Sequence, residues 1–144
     1  MEEPEVDKQI IATDNAPAAV GPYSQGVRLG DLVFTAGQLG IVPGSKGFAG
    51  PDIESQTRQA LENLRAVLEA GGSCLQHVVK VTVFLQDIEE FSRMNQVYAE
   101  FFSDDPPARS AVQVAALPLG GRVEIEAVGE ACECEDEEEG CGCC

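Results

Sequence analysis

The stretch IESQTRQALENLRAVLEAGGSCLQHVVKVTVFL, residues 53–85, decides the fold class. In its first half Ile53, Ala60, Leu61, Leu64, Val67 and Leu68 recur at three- and four-residue spacing, the period of an amphipathic helix over 53–70. Asp52, just after Pro51, is the expected N-cap, and Gly71-Gly72 the expected stop. The second half, VVKVTVFL at 78–85, is a run of β-branched residues. Strict alternation puts Val79, Val81, Val83 and Leu85 on one face and Val78, Lys80, Thr82 and Phe84 on the other.

Working outward, residues 9–12 (QIIA) read as a short strand, 14–26 as a Pro/Gly loop holding Tyr23, and 27–37 as two strands around a Gly30-Asp31 turn. Residues 41–52 contain three glycines and two prolines and form a loop. Downstream, Asp87-x-x-Glu90 resembles a capping box, opening a second helix with Phe91, Met94, Tyr98, Phe101 and Phe102 along one side. Residues 110–116 and 122–129 read as strands joined by a turn at 117–120. The expected fold is α+β: a single mixed sheet with two α-helices packed on one face. The other face would expose Val78, Phe84 and one side of 110–116. Exposed apolar sheet surface marks an interface, so a homo-oligomer is expected.

The chain has 144 residues and a formal net charge of −16. Residues 1–129 carry nine Lys/Arg against 18 Asp/Glu, a balance of −9; residues 130–144 carry seven acids and no base, the other −7. Such a body repels a phosphate backbone, so nucleic acid is a poor partner. The acidic N-terminus has no apolar segment behind a basic start, and no apolar run is long enough to span a membrane. Of six cysteines only Cys74 lies outside the last 15 residues, a usage that fits a reducing, cytoplasmic setting. The reading divides the chain into a folded domain, 1–129, and an acidic Cys-rich tail, 130–144, expected to be disordered without a ligand.

Most catalytic templates are missing. His77 is the one histidine, at a helix-to-strand junction, which removes HExxH and any His-led zinc site in the body; its expected task is packing or surface contact. There is no GxGxxG, P-loop or GxSxG. Lys80 is read as a solvated strand lysine rather than a Schiff-base lysine, and Ser110 has no base in sight. What remains is Arg109 at the mouth of a strand, Glu124 and Glu126 on one face of the next, Tyr23 in its loop, Gly37 and Gln38 at the end of an early strand, and Asn95 inside an apolar helix. A guanidinium there serves either a surface ion pair or an anion site.

Five blocks carry a resemblance: NAPAAVGPYSQG (15–26), FTAGQLG (34–40), QTRQALENLRAVLEAGG (56–72), VVKVTVFLQDIEEFSRMNQVYAEFF (78–102) and PPARSAVQVAALPLGGRVEIEAVG (106–129). In this order they resemble the YjgF/Rid family, specifically its RidA-type subgroup. The resemblance implies a chorismate-mutase-like fold and a homotrimer with sites between subunits. It implies hydrolysis of 2-imino acids, and of the enamines that tautomerise to them, to 2-keto acids and ammonia without cofactor or metal. It also implies roles: Arg109 for the substrate carboxylate, Tyr23 lining the pocket, Glu124 for the attacking water, Gly37 with its backbone toward substrate, and Asn95 nearby. Ser110 and Ala111 are assigned to the substrate pocket beside Arg109. Ala36 and Ala111 stand where some relatives have Ser and Cys.

Other functions compatible with the sequence are a non-catalytic 2-keto acid-binding trimer, a chaperone-like regulatory protein and a ribonuclease. The net charge and the lack of a histidine pair oppose the last. The tail, EACECEDEEEGCGCC (130–144), lies outside the resemblance. Its five cysteines admit a thiolate metal clip for Zn²⁺ or Cu⁺, a redox or disulfide-forming segment, or a plain solvated appendage.

Overall fold

A computed structural model describes residues 7–45 and 47–132. Seven strands form one mixed sheet: β1 Lys8–Ile11, β2 Gly26–Leu29, β3 Leu32–Thr35, β4 Gln38–Leu39, β5 Val78–Leu85, β6 Ala108–Gln113 and β7 Val123–Glu130. The spatial order is β1-β2-β3-β7-β5-β6, with β4 also pairing β7. All pairs are antiparallel except β5 with β6, the pair joined by the crossover helix α2, Phe91–Phe101. The other helix, α1, spans Ile53–Ala70 as its periodicity requires. Asp52 caps it by accepting from Ser55 N at 2.9 Å, and Gly72 leaves it with φ +89°. No helix among the described residues is long and apolar enough to cross a membrane.

One apolar core lies between the helices and the sheet. Ile53, Leu61, Leu64, Val67 and Leu68 of α1 and Met94 and Tyr98 of α2 meet Val33, Val81, Val83, Leu85, Val123 and Ile125 of the sheet. Buried amides tie the loops to this core. Asn63 donates to Leu39 O and Ile41 O at 3.1 and 2.8 Å, and Gln56 links Gly50 O to Arg122 N. Gln25 donates to Thr13 O and Pro17 O while accepting from Thr13 N, which holds the 13–25 loop against the sheet.

The face of the sheet away from the helices carries Ile10, Leu29, Leu32 and Phe34, all exposed, beside Phe84 and Val112. Three expectations change. Val78 is buried at 6 % exposure while Val79 is 51 % exposed, because the β5–β7 register shifts between Val78 and Lys80 and rotates the first residue inward. Asp87 accepts from Glu89 N and caps a 3-10 turn, Ile88–Glu90, so α2 starts at Phe91 rather than at Asp87. The last strand reaches Glu130, Ala131 is buried and Cys132 half-buried, so packed chain runs past residue 129. Residues 133–144 lie outside the described residues.

Candidate functional site

The strand register sorts the candidate residues into two groups. Arg109 pairs with Val81 and Glu124 with Phe84, both on β5. Val81 and Phe84 are three residues apart, so their side chains leave opposite faces of the sheet. Arg109 and Ala111 therefore share the helical face, while Glu124, Glu126 and Ser110 stand on the bare one.

On the helical face, β6 delivers Arg109 beside α2. Phe91, Asn95 and Tyr98 occupy positions i, i+4 and i+7 of that helix, one stripe pointing at the strand. Arg109 Nη1 donates to Asn95 Oδ1 at 2.7 Å, and the guanidinium lies 4.5 Å from the Tyr98 ring centroid and 5.4 Å from that of Phe91. The two rings hold the plane of the cation. Arg28 apart, the remaining described arginines pair with carboxylates; Arg109 has no acid partner among the described residues. A half-buried guanidinium fixed on one edge, with no counterion among the described residues, can receive an anion. Burial pushes the Tyr98 phenol up, with Arg109 opposing, so Tyr98 is a neutral platform near neutrality.

On the bare face, the chain between β3 and β4 leaves the ladder. Thr35 Oγ1 accepts from Ala127 N, and Ala36 N donates to Gln25 O. This detour lays Gly37 directly against the Glu124 side chain; a Cβ at residue 37 would overlap the carboxylate. Close approach, rather than an unusual φ, is what glycine permits here: with a side chain at 37 the Glu124 carboxylate would have to move. Burial pushes the Glu124 carboxyl above the ordinary range, and the like charge of Glu126 adds to the rise.

The other candidates stand apart. Tyr23 is 53 % exposed on its loop, its hydroxyl 3.5 Å from Val20 N. Ser110 accepts from Lys80 Nζ at 2.9 Å, so Lys80 bridges strands on the bare face. The sequence reading did not assign Tyr98 and Phe91 to the site, although their spacing around Asn95 contains the signal. Two surface clefts, of about 660 and 480 Å³, include neither Arg109 nor Glu124.

A family model described as Endoribonuclease L-PSP matches residues 13–131. A RutC family protein of Pyrococcus horikoshii is 50 % identical over 121 residues, covering 84 % of this chain and 96 % of its own. A 2-iminobutanoate/2-iminopropanoate deaminase of Bos taurus is 48 % identical over 121 residues, covering 84 % and 88 %. The solved structure of E. coli TdcF with bound serine superimposes with a TM-score of 0.82 at 42 % identity, covering 86 % of this chain and 99 % of that one.

Proposed function

The chain belongs to the YjgF/Rid family, and from that premise we propose that it hydrolyses 2-imino acids to 2-keto acids and ammonia at a site shared between copies of itself. The carrying observation is the Arg109 guanidinium, held by Asn95 and two rings yet without a carboxylate partner among the described residues. A 2-imino acid brings that carboxylate. Its reacting carbon is adjacent, so binding at Arg109 sets the distance to the attacking water.

Glu124 is the group suited to that water. Its raised pKa brings it nearer to the working pH, where a base accepts a proton in one step and returns it in the next. Water adds to the carbon of the protonated imine while Glu124 takes one of its protons. The resulting carbinolamine has C–OH and C–NH₂ on one carbon. Glu124 returns the proton to nitrogen, the C–N bond breaks, and the C–OH proton leaves with ammonia as the C=O bond forms. One water is consumed and one ammonium released.

Arg109 and Glu124 face opposite sides of one sheet, so this chemistry requires the Arg109 of one copy and the Glu124 of another. The exposed apolar residues Ile10, Leu29, Leu32 and Phe34 supply a surface for that association, in a closed homotrimer with three sites. Small carboxylate substrates, rather than nucleic acid, suit a chain of net charge −16 with one isolated cation at its site.

The test generates 2-iminobutyrate with a threonine dehydratase and follows its loss by semicarbazide trapping. Arg109→Ala should lower kcat/KM by about 100-fold or more, the effect of removing a charged two-pronged contact, and leave the oligomer intact. Near-normal turnover by that variant would refute the assignment. Binding of 2-keto acids without turnover by the wild type would identify a sensor instead.

A further inference from the structure

At the end of the sheet away from Arg109 and Glu124, three side chains of metal-ligating type converge. Cys74, His77 and Cys132 place their ligand atoms within 4.8 Å of one another. Cys132 Sγ lies 3.2 Å from His77 Nδ1. Cys74 and His77 bracket a single 3-10 turn, and His77 N donates to Cys74 O at 3.1 Å. Cys132 arrives from the end of β7 and is pinned there: its N donates to Gly72 O at 2.8 Å, Ala131 N to Asp31 O at 2.7 Å, and Ser73 Oγ to Glu130 O at 2.7 Å. Cys74 is buried, and the other two are half-buried.

We infer that this Cys-x-x-His turn and Cys132 form a zinc(II) site in the reduced protein. Two thiolates and an imidazole are the donor set of a borderline-soft d¹⁰ ion, not of Ca²⁺ or Mg²⁺. Zinc bonds of about 2.3 Å to sulfur and 2.0 Å to nitrogen put tetrahedral ligand atoms roughly 3.5–3.8 Å apart. Cys132 Sγ and His77 Nδ1 stand 3.2 Å apart and all three ligand atoms lie within 4.8 Å, on backbone held by four hydrogen bonds, so side-chain adjustment rather than refolding brings them to that spacing.

Cys74 is disulfide-bonded, so the ion-holding form follows a two-electron reduction by a phosphine or dithiol. The S–S bond breaks, Cys74 Sγ and the sulfur that leaves it, which is not that of Cys132, each take up a proton, and the phosphine ends as its oxide or the dithiol as its disulfide. Zinc then displaces one proton each from the Cys74 and Cys132 thiols, while His77 binds through a neutral ring nitrogen. A fourth ligand, thiolate or water, completes the tetrahedron.

The experiment uses the full chain, reduced with a phosphine and titrated with Zn²⁺ against a chromophoric chelator, and with Co²⁺ for its thiolate charge-transfer band. One tightly held zinc per chain is expected, with a rise in Tm that follows zinc concentration. His77→Ala and Cys132→Ser should each weaken binding by about 100-fold and abolish the Tm response. Imine turnover should be unchanged, since neither residue is near Arg109 or Glu124. Absence of stoichiometric zinc in the reduced wild type would overturn the site. So would wild-type affinity in the combined Cys74→Ser, His77→Ala, Cys132→Ser variant, which would assign the ion to the remaining cysteines alone.

Discussion

Arg109 and Glu124 stand on strands that flank β5, yet they are prepared in contrasting ways. The arginine is pre-ordered by neighbours that do not neutralise it, an amide oxygen on one side and two aromatic rings against its plane. The glutamate is perturbed by burial and a like charge, and a glycine makes room for it. The first arrangement keeps a permanent charge available for a substrate anion. The second makes a proton easier to gain and to return. The proposed hydrolysis would thus place binding and proton transfer on opposite faces of the sheet, which is why it calls for an assembly.

The sharpest way to break this comparison is to divide it between chains. Glu124→Gln alone should lower kcat by about 10²–10⁴-fold, the usual worth of a general acid–base group. Arg109→Ala alone should be similarly impaired. Mixed by unfolding and refolding together, the two inactive variants should regain roughly a quarter of wild-type turnover, because a ring of three containing both kinds has one junction with both native residues. No recovery in verified mixed oligomers would place both groups in a single-chain site.

A smaller effect is expected at Gly37. Its replacement by Ala pushes a methyl group into the Glu124 carboxylate, and kcat should fall about 10-fold with little change in KM, because Arg109 is untouched. Equal kcat for wild type and Gly37→Ala would show that the carboxylate position is immaterial.

The smallest effect concerns pH. Glu124 must be ionised to accept a proton, so activity should fall as pH drops through its raised pKa. Glu126→Gln removes the like charge that contributes to the rise, and the acid limb of the kcat/KM profile should move to lower pH. A limb that stays in place would exclude Glu124 as the group it reports.

Much of the fold was legible in the chain. Helix α1 and strand β5 have the bounds their periodicities predict, because long patterns of a single period average out local exceptions. Shorter features were less so. The bulge beside Val79 breaks alternation inside an unbroken run of strand-forming residues, with its one glycine, Gly129, on the partner strand, and Asp87 caps a 3-10 turn whose sequence also fits an α-helical start. At the candidate site, Arg109, Asn95, Gly37 and Glu124 were all recognisable as residues. That Arg109 belongs with Asn95, and Gly37 with Glu124, depends on contacts across 14 and 87 positions of chain. Ser110 follows Arg109 directly and faces the opposite way, since adjacent strand residues must.

The amino-acid sequence by itself determined helix α1 with its Asp52 cap, strand β5 and the charge that disfavours a polyanionic partner, because these depend on neighbours a few residues away. Only the tertiary structure decided which side of the sheet each charged group occupies and that His77 meets cysteines from both its own turn and the end of β7. The reason is physical: register and bulges, set by how the whole sheet packs on α1 and α2, fix the direction of every side chain, and no local pattern records them.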